Sequence, residues 1–486
     1  MDNLKRSAIH GGIAKLAGQG ATLVIRVTSI AVLARLLSPA DFGIVAMMTV
    51  VTGLFDIMST AGLSPATVQS ASISDHQRTT LFWINVACCT VLGLVCILAA
   101  PLIVSFYDEP RLLWVAPAFA VIFLLNGLGG QHSALLERQL NYKTLTAIEV
   151  AGQFANASVA ILLALIGVGY WALILGLIAQ STVMSSAYWL TSGWIPGLPR
   201  RGAPVNSLLR FGATVTLNNL IVFLAYNVEK ILIGRYWGAP ALGIYGRAYQ
   251  LINLPTASLN AAVAGVALSS LSRLQGDPVR HRQYFLKGYS LLLSLTVPLT
   301  IFCALFGEDI VLVALGPNWM EAVPIFRLLT PTVLIFGVIN PLGALLLSCG
   351  LQSRSLHLAM VISLVMICAI ALGIPYGPTG VAFAFSTAMA LWLVPHVIWS
   401  LKGMLVRPRD LAIAVSKPLA AALAGGVFAF VAHAQLLGLE WPIVRLGVSA
   451  IVMAVVHLGV LVFVLGEKNA YRDVFQEFRG LAFSRS

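Results

Sequence analysis

The sequence predicts an all-α polytopic membrane protein of about fourteen transmembrane helices, arranged as two six-helix lobes in parallel pseudo-repeat plus two C-terminal helices, with both termini cytoplasmic. Three observations predict it: apolar runs of membrane-spanning length recur along the whole chain, only 10% of the residues are charged, and the two halves share motifs. A soluble domain carries roughly 25% charged residues. With 59% hydrophobic residues and a mean hydropathy of +0.90, a large core does not account for the shortfall.

Apolar runs of about 20 residues bounded by Gly, Pro or charge fall at 13–36, 42–63, 81–104, 112–130, 145–167 and 170–190. A second set falls at 208–234, 241–271, 284–306, 323–347, 356–376 and 380–401, followed by 411–433 and 443–465. The corresponding organisation is an N-terminal lobe at 1–191, a cytoplasmic linker at 192–207, a C-terminal lobe at 208–402, and two additional helices with a tail at 403–486. Positive charge sets the orientation. With the N-terminus inside, outer segments and span ends hold only Arg35, Arg111, Arg235, Arg327 and Arg445; Arg26, Lys230 and Arg247 stay within spans, and the other Lys and Arg residues fall inside. Two cytoplasmic termini require an even number of spans.

The formal net charge of +12 does not point to nucleic acid, because the basic residues are scattered through short loops. All six cysteines lie in or beside apolar runs without CxxC spacing and read as small hydrophobes. The basic N-terminus leads into a long span with no cleavage site after a short apolar region, which predicts a retained signal anchor. No GxxxxGK[ST] loop occurs, the histidines show no metal-ligand spacing, and no large extramembrane stretch is available for a glycosyltransferase site. Neither cofactor, metal nor catalytic residue is expected, and the protein reads as a non-enzyme.

The halves resemble each other, as in many transporters. LSPADFGIVA (37–46) matches GAPALGIYG (238–246), LLERQLNYKTL (135–145) matches LLSCGLQSRSL (346–356), and GYWALILGLIAQ (169–180) matches GVAFAFSTAMA (380–390). The first pair joins the opening two helices of each half, so Pro39, Asp41, Gly43, Pro240 and Gly243 are candidate structural turn residues.

Polar residues follow helical spacing. Lys15, Gln19, Thr22, Arg26 and Ser29 recur at steps of four, three, four and three on the first helix, placing Arg26 toward the bundle interior. An arginine at the centre of a membrane helix costs about 2.5–3.5 kcal/mol on insertion scales. The second helix carries Thr49, Thr52, Asp56 and Thr60. Measured from the outer helix ends, Arg26 lies about 15 Å deep and Asp56 about 21 Å, so the two are expected to face one cavity and to pair when it is empty, with a purely structural buried ion pair as the competing reading of Asp56. Asn218 and Asn219 interrupt the seventh helix, Arg247, Gln250 and Asn253 lie on the eighth, and Glu149, Gln153 and Asn156 stripe the fifth. The candidate cavity residues are Arg26, Lys15, Gln19, Thr22, Asn218, Asn219, Arg247 and Gln250. Asp56, Glu149 and Glu229 are candidates for ion coupling, with Glu229 and Lys230 placed near the outer boundary, where a structural snorkelling role competes. A cleft with fixed positive charge suits an amphiphile whose anionic head binds arginine while its apolar tail stays in lipid.

ARLLSPADFGIVAM, GRYWGAPALGIYGRAYQLINLP and the fourteen-span layout resemble the polysaccharide transporter (oligosaccharide flippase) family of the MOP superfamily, most clearly over 4–401. The resemblance implies a flippase of undecaprenyl-diphosphate-linked oligosaccharide in the bacterial inner membrane, serving capsule, exopolysaccharide or O-antigen assembly. It also implies a monomeric transport unit, with a polysaccharide polymerase and a chain-length regulator as candidate partners. Arg26 matches, by helix and depth, the buried cations implicated in diphosphate binding in related flippases. The NVEK segment departs from the pattern, with Glu229 where relatives often carry aspartate. The competing readings are a multidrug cation antiporter of the same superfamily, and a membrane scaffold or polymerase of a polysaccharide assembly system. An antiporter predicts an acidic, aromatic cleft, and a polymerase predicts a large outer loop.

Overall fold

In hydrocarbon every backbone N–H and C=O must find its partner within the protein, and a chain this apolar meets that demand with helices. The computed structural model describes residues 2–60, 67, 73–198, 220, 223, 227–274, 276–439 and 441–466, and of these the side chains other than those of 2–17, 56, 58–60, 257–270 and 272–273. The helices are α1 (Asp2–Leu36), α2 (Pro39–Thr60), α3 (Asp75–Tyr107), α4 (Leu112–Arg138), α5 (Tyr142–Ile166), α6 (Trp171–Ser192) and α7 (Val228–Arg273). They continue as α8 (Pro278–Leu305), α9 (Gly307–Ala314), α10 (Ala322–Leu329), α11 (Pro331–Ser348), α12 (Gln352–Gly373), α13 (Gly377–Leu401), α14 (Pro408–Gln435) and α15 (Pro442–Gly459). No strand occurs among the described residues, and ten stretches of them are long and apolar enough to cross a bilayer.

Local chemistry sets the helix ends. Ser74 and Gln77 form a reciprocal capping box at α3, where the Gln77 amide donates to Ser74 Oγ and the Ser74 amide to Gln77 Oε1. Asn141 caps α5 and Asp277 caps α8. Two features depart from the run-by-run reading, while the break at Gly238 falls between the expected spans 208–234 and 241–271. The expected tenth span, 323–347, is two helices, α10 and α11, meeting where Pro331 has no amide to donate. The short helix α9 follows α8 directly. The trace of α7 is interrupted at Gly238, whose φ of 75° and ψ of −175° lie where residues with a Cβ are strained.

Packing divides the chain into two compact units: Met1–Gly246 with Ala314–Asn318, and Arg247–Val313 with Trp319–Ser486. In the first, the two matched turns of the internal repeat meet each other. A Cβ on Gly43 would lie 1.7 Å from the Ala239 carbonyl oxygen, and a Cβ on Gly243 would lie 1.9 Å from that of Pro39. The two glycines let backbone approach backbone, the small-residue crossing that holds helices together where lipid gives no hydrophobic drive. The same device recurs at Gly127 against Cys89, Gly129 against Ser185 and Gly152 against Met184. Asn85 Nδ2 adds a 3.1 Å hydrogen bond to the Gly127 carbonyl, and Trp189 Nε1 a 2.8 Å bond to that of Leu128.

In the second unit the core gathers Phe285, Tyr289 and Leu293 of α8 with Leu342 and Leu345 of α11. The two helices outside the repeat, α14 and α15, are fastened to it at three heights. Arg282 of α8 pairs with Asp410 of α14 at 2.8 Å, and His457 Nε2 of α15 donates to the Ser294 carbonyl of α8 at 2.9 Å. Asp309 of α9, only 6% exposed, accepts from both His433 Nε2 and Arg445 Nη2 at 2.7 Å.

Two stability outcomes follow. Gly43→Leu forces a side chain into the Ala239 carbonyl and lowers stability by about 1–3 kcal/mol, whereas Gly246→Ala, whose new Cβ meets nothing within 4 Å, leaves it unchanged or slightly raised. Asp309→Ala strands Arg445 and costs about 3–5 kcal/mol. Thermal unfolding of the detergent-solubilised protein measures both; an unchanged midpoint for Gly43→Leu removes the crossing from the account.

Candidate functional site

The site is organised around α1, which is held by both its ends. At its C-terminal end, the chain turns into α2 through Ser38. Its amide and Oγ both donate to Asp41 Oδ2, at 2.9 and 2.6 Å, and the Asp41 amide returns a 3.3 Å bond to Ser38 Oγ. Asp41 Oδ1 also stands against Gly169, at 3.2 Å from where a Cβ would be, so the turn is seated on the start of α6. Toward the other end, Gly18 is pressed onto Thr146 of α5; a Cβ there would fall 1.8 Å from Thr146 Cγ2.

Between these anchors the polar stripe of α1 divides. Ser29 is buried and Thr22 half-buried, while Gln19 and Arg26 are exposed. Arg26 makes no hydrogen bond or ion pair among the described residues. Its guanidinium offers five donors in a planar fork, which matches the geometry of a phosphate or carboxylate. The side chains of Lys15 and Asp56, and all of Asn218 and Asn219, lie outside the described residues.

The stripe on the fifth helix divides as well. Asn156 Nδ2 donates to Gln180 Oε1 of α6 at 2.9 Å, and Gln153 is buried, so both serve the packing of α5 within its own unit. Glu149, four residues before Gln153, is exposed. At the start of α7, Glu229 is only 2% exposed. Lys230 Nζ donates to Asn227 Oδ1 at 2.8 Å, and Asn227 Nδ2 to the Phe223 carbonyl at 2.9 Å. Arg247 and Gln250, one turn apart on α7, are hydrogen-bonded to each other, Nη1 to Oε1.

Two polar clusters have no counterpart in the sequence reading. One is the Asp309, His433 and Arg445 group, whose members lie 124 and 136 residues apart. The other surrounds His132 of α4, fully buried, with Nδ1 2.8 Å from Ser192 Oγ and the rings of Phe82, Trp189 and Trp194 within 6 Å. No motif marks either, because each is assembled from separate helices. The tryptophans near the end of α6 were the available signal. Among the described residues, no group of three or more His, Cys, Asp or Glu side chains is placed to hold a metal ion.

These features define an all-helical multi-pass membrane protein. Its coordinates superpose on those of the lipid II flippase MurJ in an inward closed conformation with a TM-score of 0.76, covering 95% of this chain and 100% of that one. The identity is 14%, so this likeness speaks for the fold. The chain belongs to the polysaccharide biosynthesis protein family, whose model matches residues 32–324. Among curated relatives, the teichuronic acid biosynthesis protein TuaB of Bacillus subtilis is 27% identical over 332 residues, 67% of this chain and 68% of TuaB. The succinoglycan biosynthesis transport protein ExoT of Rhizobium meliloti is 25% identical over 324 residues, 66% of this chain and 64% of ExoT.

Because Arg26 is exposed and unpartnered among the described residues, Arg26→Ala leaves folding stability within about 0.5 kcal/mol of wild type. Thermal unfolding checks this. A loss well beyond that figure makes Arg26 a structural residue.

Proposed function

We propose that the protein is a flippase for undecaprenyl-diphosphate-linked oligosaccharide units, moving them across the bacterial inner membrane for exopolysaccharide, capsule or O-antigen assembly. The observation that carries this reading is Arg26: a cation on a membrane helix, exposed, with no partner among the described residues. A side chain that costs free energy in hydrocarbon and stabilises nothing nearby is a functional group by default. Membership of a polysaccharide biosynthesis family, a relative named as a transport protein, and the fold shared with a lipid flippase agree with an anionic lipid-linked saccharide as cargo.

In this mechanism two lobes, 1–191 and 208–402, rock so that a cleft opens first to the cytoplasm and then outward. The diphosphate binds Arg26, with Lys15, Gln19, Thr22, Asn218, Asn219, Arg247 and Gln250 offering hydrogen bonds to the diphosphate and sugar. The saccharide travels through the wet cleft while the polyprenyl tail remains in lipid. Asp56, Glu149 and Glu229 are the candidates for coupling to an ion gradient. Buried carboxylates bind protons more readily than exposed ones, and Glu229 is the most secluded of the two whose side chains are described.

The test is a deletion strain complemented with wild type, Arg26→Lys or Arg26→Ala. A charge-assisted hydrogen bond is worth about 1.5–3 kcal/mol, so Arg26→Ala lowers flipping roughly 10- to 100-fold, and Arg26→Lys restores part of it. Lipid-linked saccharide then accumulates in the cytoplasmic leaflet. Normal surface polymer in the uncomplemented deletion strain overturns the proposal. Flipping in vesicles that is indifferent to proton and sodium gradients overturns the coupling part alone.

A further inference from the structure

Beside α1, a shallow, open groove of about 530 Å³ runs along α5. One wall is Ile25 of α1. The other is a single stripe of α5: Lys143, Thr146, Ala147, Val150, Ala151 and Phe154. These six follow the i, i+3, i+4, i+7, i+8, i+11 spacing of one helix face. The opposite face of α5, with Leu145, Ile148, Gly152 and Gln153, is the one buried in the unit. The stripe is smooth in its middle, where two exposed alanines stand, and is closed by Phe154, whose side chain remains 63% exposed. Lys143 is the one charged residue of the lining, is exposed, and has no partner among the described residues.

The dimensions and charge specify an occupant. Lys143 and Phe154 are eleven residues apart, about 16 Å along a helix, which is the depth of one leaflet of a bilayer core about 30 Å thick. The charge stands at the end of α5 that the distribution of basic residues places on the cytoplasmic side. A slot with apolar walls, one leaflet deep and carrying a cation at its mouth, complements one apolar chain with an anionic head. The next residue after Ile25 is Arg26, so a chain lying here runs against the helix that carries this arginine, which has no partner among the described residues.

We propose that this groove binds the isoprenoid chain of an anionic polyprenyl diphosphate in the cytoplasmic leaflet, with the diphosphate on Lys143, and that it is the loading position for the carrier half of the cargo. The proposal rests on the flippase reading and adds to it a place for the tail, on the N-terminal unit between α1 and α5.

The experiment uses the full-length protein in vesicles of phosphatidylethanolamine and phosphatidylglycerol, doped with an undecaprenyl diphosphate that carries a photoactivatable diazirine in its chain. Label is expected on α1 near Ile25 and on α5 at 147–154, displaced by unlabelled undecaprenyl diphosphate and not by added phosphatidylglycerol. Ala151→Trp, which fills the slot, and Lys143→Ala each lower that label at least fivefold, while Lys143→Arg retains it. Ala147→Leu serves as a second blocking variant if Ala151→Trp elutes as aggregate. Label spread evenly over lipid-facing helices, or displaced equally by phosphatidylglycerol, marks ordinary lipid contact and overturns the proposal. This outcome is separate from failure of the flippase reading, which is scored by surface polymer in the deletion strain.

Discussion

Gly43 and Gly243 allow two backbones to touch, and much of the first unit depends on that contact. Each glycine faces a carbonyl of the opposite turn at a distance that no Cβ tolerates, and the two turns are matching parts of the internal repeat. In water such a crossing competes with many ways of burying apolar surface. In lipid there is little hydrophobic gain in bringing helices together, so close van der Waals approach at small residues becomes a main source of association. The crossing fixes where α1 ends and α2 begins. The Ser38 and Asp41 hydrogen bonds then hold the turn rigid, and the backbone break at Gly238 brings its partner into place. The depth of Arg26 below that turn is therefore set by geometry remote from its own side chain.

The two units solve the same packing problem with different chemistry. The first relies on glycines set against neighbouring side chains, with a few amide and indole hydrogen bonds to backbone. The second adds charge: Arg282 with Asp410, and Asp309 between His433 and Arg445, tie the C-terminal helix pair to α8 and α9. The Asp309 group is buried, where desolvation offsets attraction but breaking the pair is costly, whereas the Arg282–Asp410 pair is partly open to solvent and contributes little net stability. They serve better as register marks, and here they set the height at which α14 and α15 lie along α8. The pair stands outside the sequence repeat yet belongs to the compact core of its unit.

On α1 and α5, part of the helix face is left unused by packing. On α5, one face supplies Gln153 and Asn156 to the interior of the unit and the other faces the groove. On α1, Ser29 turns inward while Gln19 and Arg26 stay open. Polar residues at helical spacing thus carry two different jobs along one stripe, and only contact with a neighbour separates them. Asn156 and Glu149 look equivalent in the sequence, but the first has a hydrogen-bonded partner on α6 and the second is exposed.

The sequence by itself determined that this is an all-helical membrane protein, because runs of apolar residues and sparse charge are local in the chain; the fold family followed from a resemblance carried by short motifs such as SPADFG. It also singled out Arg26, since a charge in an apolar run is conspicuous without any knowledge of its neighbours. Three-dimensional packing decided the rest. Glu229 is buried, which its position in the chain does not reveal, because burial depends on which helices surround it. The tenth span is broken in two, and α9 forms in what read as a connection, where an eight-residue segment is too short for periodicity to declare itself. Asp309, His433 and Arg445 meet across more than a hundred residues of sequence, and the groove beside Lys143 exists only because Gly18 brings α1 onto α5. Spacing along one helix says which residues share a face; which neighbour, if any, covers that face is a property of the assembled fold.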